Sequence, residues 1–175
     1  MRLILCKNYE DASYAAAKIT ASQLILKPES VLGLATGSTP LGMYKILAEM
    51  NKKGEVDFSK VITFNLDEYY PIAPTNEQSY RYFMNKNLFS HINIPIENTH
   101  ILSGTTSDPQ KECSEYDALI KANGGIDLQI LGIGQNGHIG FNEPAPNLNP
   151  DTHLTELSES TINANSRFFE NINEV

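Results

Sequence analysis

Between Asp127 and Pro144 the chain reads DLQILGIGQNGHIGFNEP, an apolar run from Leu128 to Ile133 that breaks abruptly into glycines. The run has the length and β-branched content of a buried strand. Gly132, Gly134, Gly137 and Gly140 let a backbone turn sharply and approach a ligand closely, while His138 and Glu143 supply a titratable pair within a few residues. A strand that ends in such a loop places chemistry at the carboxyl end of a sheet. This restricts the chain to folds in which strands deliver loops to one common edge.

The remainder of the sequence repeats the same grammar. Arg2 to Cys6 reads as a short strand and Tyr9 to Ile25 as a helix, with Ala12, Ala15, Ala16, Ile19 and Leu24 at helical spacing. Val31 to Thr36 is a second apolar strand running into Gly37-Ser38-Thr39-Pro40, where Thr39 suits an N-cap and Pro40 a first helical position. Val61 to Asp67 predicts a third strand and Gln78 to Leu88 a helix, with Ile101 and Leu102 as a minor strand. Asp108-Pro109 starts a helix that runs to Ala122 and closes at Asn123-Gly124-Gly125. Thr152 to Leu157 alternates like a strand, and Ser166 to Glu170 reads as helix. Strands alternating with capped helices predict an α/β fold, a mostly parallel sheet with helices on both faces. A length of 175 residues predicts one domain over 1–175.

Composition narrows the partners. A formal net charge of −8 argues against a nucleic-acid or acidic-membrane surface as the main partner, although a local basic pocket could still hold a small anion. Cys6 and Cys113 are too few and too far apart for a disulfide framework or a CxxC metal spacing. His91, His100, His138 and His153 are dispersed and show no ligand spacing, so no metal is expected. The first residues, MRLILCKNYEDA, lack a signal-peptide pattern, and no stretch approaches a membrane span; the expectation is a cytoplasmic protein.

Each loaded loop has a plain reading beside the chemical one. Gly37-Ser38-Thr39 at a helix N-terminus suits a phosphate, yet equally suits an ordinary capped βα turn. Asp67 and Glu68 end a strand where a carboxyl would be partly desolvated and could serve as a general base, or they are solvated acids or caps. Gly132, Gly134 and Gly137 match GxGxxG, with Glu156 at the distance of a ribose contact. Gly140 and Pro144, however, interrupt the clean helix that a dinucleotide fingerprint needs. His138 stands in its glycine loop with Asn136 and Glu143 close by as potential orienting partners.

LATGSTP, TFNLDEYY, GIGQNGHIGFNEPA and NSRFF occur in that order. Together they resemble the glucosamine-6-phosphate deaminase (isomerase) family over the whole chain. The resemblance implies a Rossmann-like fold and conversion of glucosamine 6-phosphate and water to fructose 6-phosphate and ammonia, without redox cofactor or metal. By position, Asp67 resembles the base that moves the C2 proton to C1, and His138 the group that carries a proton during ring opening. Asn136 and Glu143 resemble its tuning and orienting partners, and Gly37, Ser38, Thr39 and Arg167 the phosphate contacts.

Two rivals stand beside this, a phosphogluconolactonase-like hydrolase and an inactive sugar-phosphate binding form. Allosterically activated members carry a basic pair where this chain has His153 and Thr155, which argues against activation by an acetylated sugar phosphate. Members of the family continue past Val175 with further strands and a phosphate-contacting lysine. The expectation is therefore a sheet lacking its C-terminal strands, a chain weak or inactive on its own, and a full-length form that is the enzyme and a possible homo-oligomer.

Overall fold

The computed structural model describes residues 2–134, 136–146 and 149–165. Its centre is a four-stranded parallel sheet in the order β3-β2-β1-β4, with β1 at Val31–Leu34, β2 at Ile62–Asn65, β3 at Thr99–His100 and β4 at Leu128–Gln129. Every residue of β1 is buried, as a strand covered on both faces requires. Side chains alternate between the two faces. Leu32 and Leu34 join one core with helices α1 (Tyr9–Leu26), α2 (Leu41–Lys52) and α3 (Tyr80–Asn87). Val31 and Phe64 join a second with Tyr116 and Ile120 of α4 (Pro109–Ala122). The expected α/β layering is thus present, and a short α5 (Glu159–Asn165) follows.

The helices start where side chains can satisfy their first amides. Asn8 accepts from the Asp11 N–H at 2.7 Å to open α1, and Asp108 accepts from Lys111 N–H at 3.0 Å to open α4, with Pro109 as its first residue. The α2 start differs from the sequence reading. Pro40, not Thr39, occupies the cap position, and no side chain caps it. The stripe of α1 also differs: Ser13, Ala17, Thr20, Ala21 and Leu24 are buried, whereas Ile19 is exposed. Close helix packing decides this. A Cβ on Gly42 of α2 would lie 2.3 Å from Ser13 Oγ, so small residues, not large apolar ones, face that contact.

Four expected strands are absent, shifted or shortened. Arg2 to Cys6 forms no strand and lies exposed, because it pairs with no neighbour in the sheet. The minor third strand falls at Thr99–His100, just before Ile101 and Leu102. The run from Leu128 to Ile133 gives only two residues of β4, since it sits at the sheet edge with β1 on one side alone. Leu131 and Ile133 beyond it are exposed. Thr152 to Leu157 is not a strand either. Its start is tied to α4, with Asp117 accepting from both the backbone N–H and the hydroxyl of Thr152. The expected helix over Ser166 to Glu170 lies outside the described residues.

Candidate active site

The carboxyl ends of β1, β2 and β4 feed three loops toward one edge of the sheet. Beyond β2 the chain continues through Leu66, whose N–H still bonds to Leu34 O at 3.1 Å, to Asp67 and Glu68. These two acids diverge in role. Glu68 Oε1 accepts the N–H groups of Tyr69 (2.9 Å) and Tyr80 (2.8 Å), and Oε2 accepts that of Arg81 (3.0 Å), so Glu68 anchors the N-terminus of α3. Asp67 accepts none of these amides. Burial, and then the neighbouring Glu68 charge, push its pKa up to about 7.

The glycine loop comes directly to this carboxyl. Gly140 has φ +61°, and a Cβ there would lie 2.8 Å from Leu66 Cδ2 and 3.3 Å from an Asp67 carboxylate oxygen. Only glycine gives this close approach with that backbone. The next residue, Phe141, packs against Tyr69 with centroids 5.1 Å apart and against Tyr80 at 5.9 Å. Tyr80 ties in the third loop. Its hydroxyl is held well above the ordinary value first by burial and then by Asp67, and Thr36, two residues past β1, acts on it as well.

Within the glycine loop, Gly134 N–H donates to His138 O (2.8 Å) and Gly137 N–H to Gly134 O (2.9 Å), with Gly137 at φ +92°. The His138 imidazole occupies the space that a side chain at Gly134 would fill, since a Cβ there would stand 2.3 Å from His138 Cε1. His138 Nδ1 is buried and has no hydrogen-bond partner among the described residues. Asn136 and Glu143 reach the histidine through its backbone. Asn136 Oδ1 accepts from His138 N–H at 3.2 Å, and Asn136 Nδ2 donates to Glu143 Oε2 at 2.6 Å. Glu143 Oε1 in turn accepts from the hydroxyls of Thr161 and Ser158, which with Asn136 and the His138 charge hold its carboxyl below the ordinary value.

Gly37, Ser38 and Thr39 form an exposed turn before α2, with Gly37 at φ +92°. Tyr9 of α1 clamps it: its hydroxyl donates to Ser38 O at 3.1 Å and accepts from Gly42 N–H at 2.8 Å. Arg167 lies outside the described residues. A cavity of about 810 Å³ opens beside Asp67, lined also by Tyr69, Phe141, Asn142 and the segment from Thr152 to Leu157. Glu68 and Glu156 line it beside Asp67, whereas among the described candidate residues neither His138 nor the Gly37–Thr39 turn does. Among the described residues no group of three His, Cys, Asp or Glu side chains is placed to hold a metal ion.

A family model described as "Glucosamine-6-phosphate isomerases/6-phosphogluconolactonase" matches residues 9–141. The chain belongs to this family. It is 62% identical over 175 residues to the glucosamine-6-phosphate deaminase of Lachnoclostridium phytofermentans, covering all of this chain and 74% of that protein. It is 55% identical to that of Clostridioides difficile, covering 70% of it. Among solved structures, a monomeric glucosamine-6-phosphate deaminase superposes with a TM-score of 0.96 at 41% identity, covering 100% of this chain and 73% of that one. The family member 6-phosphogluconolactonase from Thermotoga maritima is more distant, with a TM-score of 0.66 at 26% identity over 80% of this chain and 63% of that one.

Sequence reasoning missed the aromatic bridge of Tyr69, Tyr80 and Phe141 and the anchoring of Glu143 by Ser158 and Thr161. Ser158 ahead of Glu159-Ser160-Thr161 is a readable helix start, but nothing local signals its reach back to Glu143.

Proposed function

We infer that this chain is a glucosamine-6-phosphate deaminase, turning glucosamine 6-phosphate and water into fructose 6-phosphate and ammonia within one sugar-phosphate domain over 1–175. The observation that carries the reading is the contact between the two halves of the site. A carboxyl with a pKa of about 7 ends β2, and the glycine loop bearing His138 is laid against it at Gly140. The 55–62% identity to curated deaminases supports the substrate class over the lactone of the more distant family member.

The chemistry needs two proton carriers. The pyranose must open before its C2 proton becomes acidic, and His138 is assigned the proton movement of that opening. Asp67, in its ionised form, takes the proton from C2 and returns it at C1, leaving an imine at C2 that water hydrolyses with loss of ammonia. Asn136 and Glu143 hold the histidine loop by the hydrogen bonds described above. The exposed Gly37–Thr39 turn at the N-terminal end of α2 receives the phosphate, with Arg167 as its cationic partner.

The test is ammonia release and fructose 6-phosphate formation from glucosamine 6-phosphate by the full-length form, run beside hydrolysis of 6-phosphogluconolactone. Ammonia release without lactonase activity supports the reading. Lactone hydrolysis alone, or substrate binding without either turnover, overturns it.

A further inference from the structure

The Glu143 carboxylate is held from two directions. Oε2 accepts from Asn136 Nδ2 at 2.6 Å, while Oε1 accepts from Ser158 Oγ at 2.8 Å and from Thr161 Oγ1. Both hydroxyls belong to the start of α5, where Thr161 N–H also donates to Ser158 Oγ at 3.3 Å. Capping explains only that last bond. A threonine inside a helix commonly turns its hydroxyl back to a carbonyl one turn earlier, as Thr20 does to Ala16 O in α1. Thr161, 3% exposed, instead directs its hydroxyl to a carboxylate 18 positions earlier in the chain.

The geometry points to Ser158 and Thr161 as positioning residues for the His138 loop: they fix the Glu143 carboxylate, Glu143 fixes the Asn136 amide, and Asn136 Oδ1 fixes the His138 backbone N–H. This rests on the deaminase reading, because the loop matters only if His138 moves a proton. Each link is a hydrogen bond to an ionised or strongly polar partner, the kind that holds an active-site group within a few tenths of an ångström. Neither hydroxyl needs to touch the sugar. α5 acts on the reaction through the carboxylate it grips.

The distinguishing variants are Thr161→Val, which keeps the shape and removes the hydroxyl, and Thr161→Ser, which restores it. In Thr161→Val, kcat for ammonia release falls about tenfold while KM for glucosamine 6-phosphate stays within about twofold, the pattern of lost transition-state positioning. Thr161→Ser recovers the activity, and Thr161→Val costs little further in a Glu143→Gln background, as coupled residues require. Ser158→Ala lowers kcat in the same sense and serves if Thr161→Val does not fold.

An activity-independent measurement accompanies these. The backbone amide resonances of Asn136 and His138 shift in Thr161→Val and return in Thr161→Ser. Unchanged kcat and unchanged resonances in a folded Thr161→Val protein overturn the inference, as does a loss that serine fails to restore. Absence of ammonia release from the wild-type protein overturns the deaminase reading instead, and the resonances alone then decide the link from α5 to His138.

Discussion

Asp67 is the residue whose environment makes the sharpest demand on the chemistry. A carboxyl raised to about 7 is protonated in mild acid and ionised in mild base, so a C2 proton acceptor at this position loses activity as pH falls below 7. Solvent-deuterium exchange at C2 should rise through about pH 7 to a plateau, and Asp67→Asn should abolish it at every pH. Exchange that persists in the variant removes Asp67 from the role. Gly140 makes a second demand. Alanine there meets both φ +61° and a 2.8 Å approach to Leu66, a strain of about 1–3 kcal/mol that pushes the loop off β2. Gly140→Ala should therefore lower kcat by about tenfold or more, with a smaller loss of melting temperature than a core truncation gives; wild-type kcat in this variant contradicts the close approach. Asp67, His138 and Glu143 were visible in the sequence as types in a loaded loop. Tyr80 was not, because it approaches Asp67 from helix α3 and no spacing along the chain connects them.

Elements were legible where a local signal fixed them and illegible where a neighbour did. Asp108-Pro109 opens α4 as read, because capping uses side chains a few residues away. The face of α1 was misread, because Gly42 of α2 decides which side chains fit the contact. β4 is short for the same reason, since a strand's length depends on the partner beside it. Glu68 shows how an element's position can hang on one side chain. Three backbone N–H groups, two of them at the start of α3, converge on its carboxylate, and α3 carries Tyr80 close enough to Asp67 for its charge to act on the tyrosine hydroxyl. Glu68→Ala leaves those donors unpaired at a cost of about 1–3 kcal/mol, with about 2–4 °C of melting temperature lost per kcal/mol. Calorimetry checks the shift, and reduced tyrosine order near 80 should accompany it; a melting temperature equal to wild type means the helix start is held by Ser79 alone.

For the whole molecule, the shifted acids and bases oppose one another. Asp57, held down first by the Ser59 backbone N–H, and Asp127, held down first by Lys27, stabilise the fold above the ordinary carboxylate range and lose that contribution as pH falls through their lowered values. His100, depressed by burial, likewise stabilises at higher pH and destabilises once the unfolded chain can take up the proton. Asp67 has the opposite sign. Its folded form holds a proton that the unfolded chain releases near 4, so stability falls as pH rises from about 4 to about 7 and is level above. Comparing Asp67→Asn with wild type isolates that contribution, because the other groups remain in both proteins. The melting temperature of the variant minus that of wild type should be smallest near pH 4, grow to several degrees by pH 7 at about 2–4 °C per kcal/mol, and stay constant at higher pH. A difference independent of pH means that the Asp67 carboxyl carries no cost of burial, and with that the argument for its tuning as a base near neutral pH is lost.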